Sequence, residues 1–176
     1  MSIRVVQPAA LTAEAFAPFG DVLQVDGAHA FEINHGYTTR VHNLCDIQTL
    51  GNGAKAIVSF FLGRPRPLTI RMVECHPYGS QAFMPLDPYP WLVVVASTPS
   101  SDDVRAFWAR GDQGVNYHAG VWHHPLLVTQ PQRFLVIDRH GQEANCDEVF
   151  FDSGSGVDLH WPFNSSSKNG PEDMHV

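Results

Sequence analysis

Glycine and proline break this chain so often that it has room mainly for short strands. The sequence carries 14 glycines and 13 prolines. Between them lie runs rich in β-branched and aromatic residues, recurring roughly every 8–12 residues with turn chemistry in between, the signature of a β-sandwich or barrel. Asp21–Val25 is one such run. Ala30–Asn34 and Thr38–Leu44 flank a turn at His35-Gly36 and read as a hairpin over 30–44. Lys55–Leu62, Leu68–His76, Ser80–Met84, Trp91–Ala96, Val104–Ala109, Leu126–Thr129 and Arg133–Asp138 follow. Segments 104–110 and 143–151 are open to a strand or a helical turn. One short helix is expected near the start, capped by Thr12, running over Ala13–Phe16 and stopped by Pro18 and Gly20.

At 176 residues the chain is long enough for one domain with a substantial core. Residues 1–163 read as a single domain. Residues 164–176, opening Asn164-Ser165-Ser166-Ser167-Lys168-Asn169-Gly170-Pro171, read as a flexible polar tail, and Trp161 and Phe163 just before it are expected to dock on the chain's own barrel. The net charge of −7 argues against nucleic acid and anionic membrane surfaces, both of which select basic faces. The longest apolar run, Trp91–Ala96, is far short of the roughly 20 residues of a membrane-spanning helix, and the first ten residues lack the pattern of a secretory signal. Cys45, Cys75 and Cys146 are odd in number and lack a paired spacing, so no disulfide framework is expected. Together these features suggest a cytoplasmic protein.

Ten histidines point to metal or acid–base chemistry, and two segments concentrate the polar residues. In Glu74-Cys75-His76-Pro77-Tyr78-Gly79-Ser80-Gln81, Glu74 and His76 stand two apart and share one face of a strand. Cys75 faces away and packs. The second segment runs Gly114-Val115-Asn116-Tyr117-His118-Ala119-Gly120-Val121-Trp122-His123-His124-Pro125, with His124 opposite His123 if the chain is extended there. A third group, Arg40 and His42, shares a face in the hairpin, and Arg40 suits a substrate carboxylate. Asp138-Arg139 with Asp147 reads as a structural ion pair.

The two polar segments resemble the paired motifs of cupins: His-x-His followed after four residues by Glu, and later Pro-x-Gly-x-x-His. Here the spacing is kept as Glu74-x-His76 with Gln81, and His118-x-Gly120-x-x-His123. The resemblance implies an all-β fold, a cupin-like β-barrel or double-stranded β-helix with the short N-terminal helix, in which Glu74, His76, Gln81 and His123 converge. Two readings stay open: this set holds a divalent transition metal, or it serves only as a hydrogen-bonding site.

Longer strings sharpen the resemblance. Leu11-Thr12 through Phe19-Gly20-Asp21-Val22, Ile33-Asn34 with Gly36, and Arg40 with His42 come first. His76-Pro77 through Gln81-Ala82-Phe83-Met84-Pro85, Gln113 through His118, Val121-Trp122-His123-His124-Pro125-Leu126 and Ile137-Asp138-Arg139 follow. Over roughly residues 5–150 the chain is similar to the bacterial ureidoglycolate lyase (ureidoglycolate hydrolase) family. That resemblance implies cleavage of ureidoglycolate to glyoxylate and urea in allantoin breakdown. It also implies a homodimer and a divalent metal, with nickel associated with the family.

The chemistry asks for a base to take the hydroxyl proton and an acid for the leaving urea nitrogen. His118, Glu74 and Tyr117 are the expected catalytic residues. Arg40, His42, Asn116 and Gln81 are the expected substrate contacts, and Glu74, His76, Gln81 and His123 the expected metal ligands. The alternatives are a metal-dependent cupin dioxygenase or isomerase on a small polar substrate, and a non-catalytic small-molecule-binding cupin.

Overall fold

The computed structural model describes residues 3–161. Its strands are β1 (Arg4–Val6), β2 (Ala9–Ala10), β3 (Gly20–Leu23), β4 (Ala30–Ile33), β5 (Thr38–Val41), β6 (Lys55–Gly63), β7 (Thr69–Ile70) and β8 (Met72–Cys75). They continue as β9 (Gln81–Pro85), β10 (Trp91–Ala96), β11 (Val104–Ala109), β12 (Gly114–Tyr117), β13 (Trp122–His123), β14 (Gln132–His140), β15 (Asp147–Phe150) and β16 (Val157–Leu159). The fold is all-β and cupin-like. A six-stranded sheet in the order β15-β8-β13-β10-β11-β2 faces a five-stranded sheet in the order β3-β12-β9-β14-β6. A small sheet, β1-β16-β7, and the hairpin β4-β5 complete it.

The core sits in two layers. Trp91, Val93, Val95, Phe107 and Ala109 of the six-stranded sheet meet Val22, Phe83, Val115, Tyr117, Phe134 and Val136 of the five-stranded sheet. Leu92, Val94, Ala96, Val104 and Ala106 alternate to the other face and pack with Ile70, Val157 and Leu159 of the small sheet. Strand β10 is thus buried on both faces along its whole length. This is why it reads as an unbroken apolar run rather than an alternation. Trp161 packs on the second layer, as expected; Phe163 and the 164–176 tail lie outside the described residues.

The helix α1 (Ala13–Phe16) forms as read. Thr12 accepts a hydrogen bond from the Ala15 amide at 3.2 Å, and Phe16 is fully buried against Phe107 and Tyr117. The hairpin is shorter than expected, with a turn over Asn34–Gly36 in which Asn34 and His35 take positive φ. Both open segments hold strands, β11 and β15.

Three readings need correction. Leu68–His76 is not one strand: Thr69–Ile70 pairs with β16 in the small sheet, whereas Met72–Cys75 pairs with β13 and β15. The chain changes sheets at Arg71. Leu126–Thr129 makes only an isolated bridge, Leu127 to Leu92. Strands β1, β2, β12, β13 and β16 complete the sheets; each has two to four residues, too few for periodicity to register.

Candidate active site and metal centre

One polar row crosses the inner face of the six-stranded sheet. Strands β15, β8 and β13 are adjacent, and their register sets Glu148 opposite Glu74 and Glu74 opposite His123. Directly paired residues share a face, so the three side chains line one wall. His76, just past the end of β8, joins them. Glu74 Oε1 lies 3.6 Å from His123 Nε2 and 3.9 Å from His76 Nε2.

The second nitrogen of each imidazole sets its chemistry. His76 Nδ1 donates to the Asn145 carbonyl at 2.6 Å and His123 Nδ1 to the Val121 carbonyl at 2.9 Å. In a neutral ring that bond leaves Nε2 as the lone pair aimed at the site. Both Nε2 atoms are buried without a hydrogen-bond partner among the described residues. Burial pushes His123 down to about 3, so it stays neutral. Burial also pushes the Glu74 carboxyl up, and Glu148 adds to that; His76, Cys146 and Arg66 pull against it. Ligand atoms of Glu74, His76 and His123 all lie within 4.8 Å of one another. Two aimed lone pairs and a carboxylate oxygen fit a divalent transition metal with open positions.

Glu74 has a second set of neighbours. Cys146 Sγ stands 3.9 Å from its Oε2, and Glu74, Cys146 and Glu148 form another group with ligand atoms within 4.8 Å. Sequence reading gave Glu148 no role, because only the β15–β8 register brings it to Glu74.

The five-stranded sheet supplies the opposite wall. Tyr117 and Gln81 are paired between β12 and β9 and both are buried. The Tyr117 ring stacks on His123, with centroids 4.2 Å apart and planes 9° from parallel. Burial and the Glu74 carboxylate push the Tyr117 hydroxyl well above its usual range, so it remains a hydrogen-bond donor. Gln81 Oε1 is buried without a partner among the described residues.

The remaining expected site residues fall elsewhere. Asn116 precedes Tyr117 on a strand and so points to the opposite face. Asn116 Nδ2 and His118 Nε2 each lie 3.0 Å from Asp21 Oδ2, forming a separate polar cluster. The alternation that separates Asn116 from Tyr117 was open to sequence reading; the partner Asp21 was not. Arg40 lies on β5, which pairs only with β4, and His42 follows just past its end. His42 has Phe31 and His29 as ring neighbours, and neither residue joins the Glu74 row. His124 is buried on the far side of β13, lining a hollow with Arg66 and Arg71. Arg139 does not pair with Asp138 or Asp147. It pairs with Glu143, donates to the Leu50 carbonyl at 2.6 Å and lies over the Tyr78 ring.

Comparison with known proteins adds an independent finding. A family model described as "Ureidoglycolate lyase" matches residues 3–158. A protein named ureidoglycolate lyase from Pseudomonas syringae pv. syringae (strain B728a) is 53% identical over 153 residues, covering 84% of this chain and 89% of that protein. One of the same name from Azotobacter vinelandii (strain DJ / ATCC BAA-1303) is 49% identical over 168 residues, 92% of this chain and 100% of that protein. A third, from Stutzerimonas stutzeri (strain A1501), is 52% identical over 147 residues, 80% of this chain and 86% of that protein.

Proposed function

The chain belongs to the ureidoglycolate lyase family, and on that premise we propose that it cleaves ureidoglycolate to glyoxylate and urea, a late step of allantoin breakdown. The observation that carries this reading is the inward row of Glu74, His76 and His123 with two orphaned imidazole nitrogens. Ureidoglycolate is a hemiaminal bearing a carboxylate. Its carbon–nitrogen bond breaks when the hydroxyl gives up a proton and becomes a carbonyl while the leaving urea nitrogen gains one. Glu74, whose burial raises its affinity for a proton, takes the hydroxyl proton. It then passes that proton to the leaving urea nitrogen, and Tyr117, held flat on His123, donates a hydrogen bond to the departing ureido group. A well-placed acid or base of this kind is worth about 10²–10⁴ in rate.

Glu74, His76 and His123 would hold a divalent metal, with Gln81 at the facing wall, and nickel is the ion we favour. When bound, the ion supplies Lewis-acid polarisation of substrate oxygens. His118 is a positioning residue in this reading. Its bond to Asp21 anchors the turn whose Gly120 amide donates to the His76 carbonyl at 2.9 Å. Arg40 and His42 stay on the exposed hairpin and contact the substrate only if a closing movement or a second copy brings them in.

The protein is further proposed to be a cytoplasmic homodimer acting on a small molecule, within a single catalytic domain over 1–163. The net charge of −7 supports the absence of nucleic acid and membrane partners, and no helix among the described residues is long and apolar enough to cross a membrane. Edge strand β6 presents Val58, Phe60 and Leu62 at 66, 70 and 65% exposure on one face. An apolar row on a sheet edge invites pairing unless it is covered, so this face is the proposed dimer contact. Phe60→Glu is expected to halve the molecular mass seen by sedimentation equilibrium while the circular dichroism of the sheets is unchanged. A dimer that survives the change would move the interface elsewhere.

The direct test is an assay of purified protein with racemic ureidoglycolate, following urea and glyoxylate together, before and after chelator treatment. Equal release of both, faster than spontaneous breakdown, is expected. It should be lost with chelator and restored by a divalent ion. No release above the uncatalysed rate would overturn the lyase reading.

A further inference from the structure

Asp138 carries a buried carboxylate oxygen, Oδ1, with no hydrogen-bond partner among the described residues. Buried polar atoms are nearly always satisfied, so an orphan needs an explanation. Its place in the fold supplies one. On β14, Phe134 and Val136 point into the inter-sheet core, so Asp138 lies on that same inner face. Ile137 is paired with Ala82 of β9. One step on, Asp138 and Gln81 therefore stand side by side at the polar end of the barrel, and Gln81 is flanked on its other side by Tyr117. With neighbouring strands about 4.8 Å apart, the inner wall reads Tyr117, Gln81, Asp138 in order.

The ion site does not account for Asp138. It belongs to neither group of ligand atoms lying within 4.8 Å of one another among the described residues. What the wall offers instead is two adjacent orphan acceptors, Gln81 Oε1 and Asp138 Oδ1, one of them on a carboxylate. A ligand there must bring N–H or O–H donors and keep its own anionic group away. Ureidoglycolate has its donor-rich end at the ureido group, with three N–H bonds, and its anionic end at the carboxylate.

We propose that Asp138, with Gln81 beside it, is a substrate-binding residue that accepts the ureido N–H groups and so turns the acid end of the substrate toward His76 and His123. The proposal rests on the lyase reading for the identity of the substrate. It implies that the two products part company: urea is held by Asp138 and glyoxylate is not.

The test compares wild type with Asp138→Asn, which keeps the shape, and Asp138→Ala. Urea and glyoxylate are titrated onto each protein by calorimetry and, where turnover is present, used as product inhibitors. Loss of a hydrogen bond to a charged acceptor is expected to weaken urea binding about tenfold or more. Glyoxylate binding should stay within about twofold, and KM for ureidoglycolate should rise more than kcat falls. Urea binding that is undetectable in wild type, or equal in wild type and both variants, would overturn the proposal even if the lyase activity holds. Urea bound through Asp138 by a wild type that releases no product would leave this subsite standing and remove the lyase reading alone. A parallel loss of both products in Asp138→Asn, with an unchanged guanidinium midpoint, would assign Asp138 to the general architecture of the pocket and also overturn the proposal.

Discussion

Glu74→Gln is expected to release most of the bound divalent ion and to lower turnover of ureidoglycolate by about 10²–10⁴-fold. Among Glu74, His76 and His123 the only carboxylate is Glu74; the two histidines offer imidazole nitrogens, which add no charge when they ligate a metal, and Gln81 is a neutral amide. An amide in place of the carboxylate leaves an uncharged donor set, which binds divalent ions far more weakly. Lewis-acid polarisation is worth several kcal/mol of transition-state stabilisation, and about 1.4 kcal/mol is tenfold in rate; the same change also removes the proposed base. Because the substitution keeps the side-chain shape, the fold should be retained. Burial already opposes the Glu74 charge, so the metal-free variant should be at least as stable as metal-free wild type. Metal analysis by atomic emission, taken with the assay, checks both parts. Full turnover from a variant without metal would separate the ion from the reaction.

Phe134→Ala is expected to cost about 3–5 kcal/mol of stability. Phe134 is fully buried. Its ring meets Trp91 edge-on at 4.9 Å and Phe83 at 6.3 Å, so it joins the five-stranded sheet to the six-stranded one. Removing it opens a cavity at the contact that sets the spacing of the two walls, and with it the distance between the Tyr117–Gln81–Asp138 row and the Glu74 row. At about 2–4 °C per kcal/mol for a chain of this size, the melting temperature should fall by roughly 10 °C or more. Guanidinium is the denaturant to use, because urea is a proposed product. Tyr37→Ala, at a 91% exposed position, serves as the control and should lose less than about 1 kcal/mol. A loss below that level for Phe134→Ala would show that the sheets are held together elsewhere.

Much of this architecture is legible in the sequence alone. Thr12 capping a one-turn helix is a local event, decided by a hydroxyl and an amide three residues on, and it formed as read. Trp91–Ala96 and Val104–Ala109 are dense in β-formers and form adjacent interior strands of the six-stranded sheet. The Glu74-x-His76 spacing put two members of the ligand group on one face, because alternation along an extended chain holds whatever the strands pair with; His123 was marked by the Gly120-x-x-His123 spacing, and the β13–β8 register brings it to them. The relatives, about half identical over most of the chain, agree with the family that those spacings resemble.

What escaped depends on partners distant in the chain. Strand β13 has two residues, and its place between β8 and β10 follows from pairings that no local pattern announces. His118 turned to Asp21, 97 positions away. Arg139 took Glu143 and the Leu50 carbonyl instead of its acidic neighbours. Asp138, read as half of an ion pair, stands on the inner wall beside Gln81. Composition, capping and the period of two thus settled which segments extend and which side chains share a face, since those are properties of a few consecutive residues. Which faces look at one another, and so which acids meet which histidines, rested on strand register and sheet order, where the packing of the whole core outweighs any local preference.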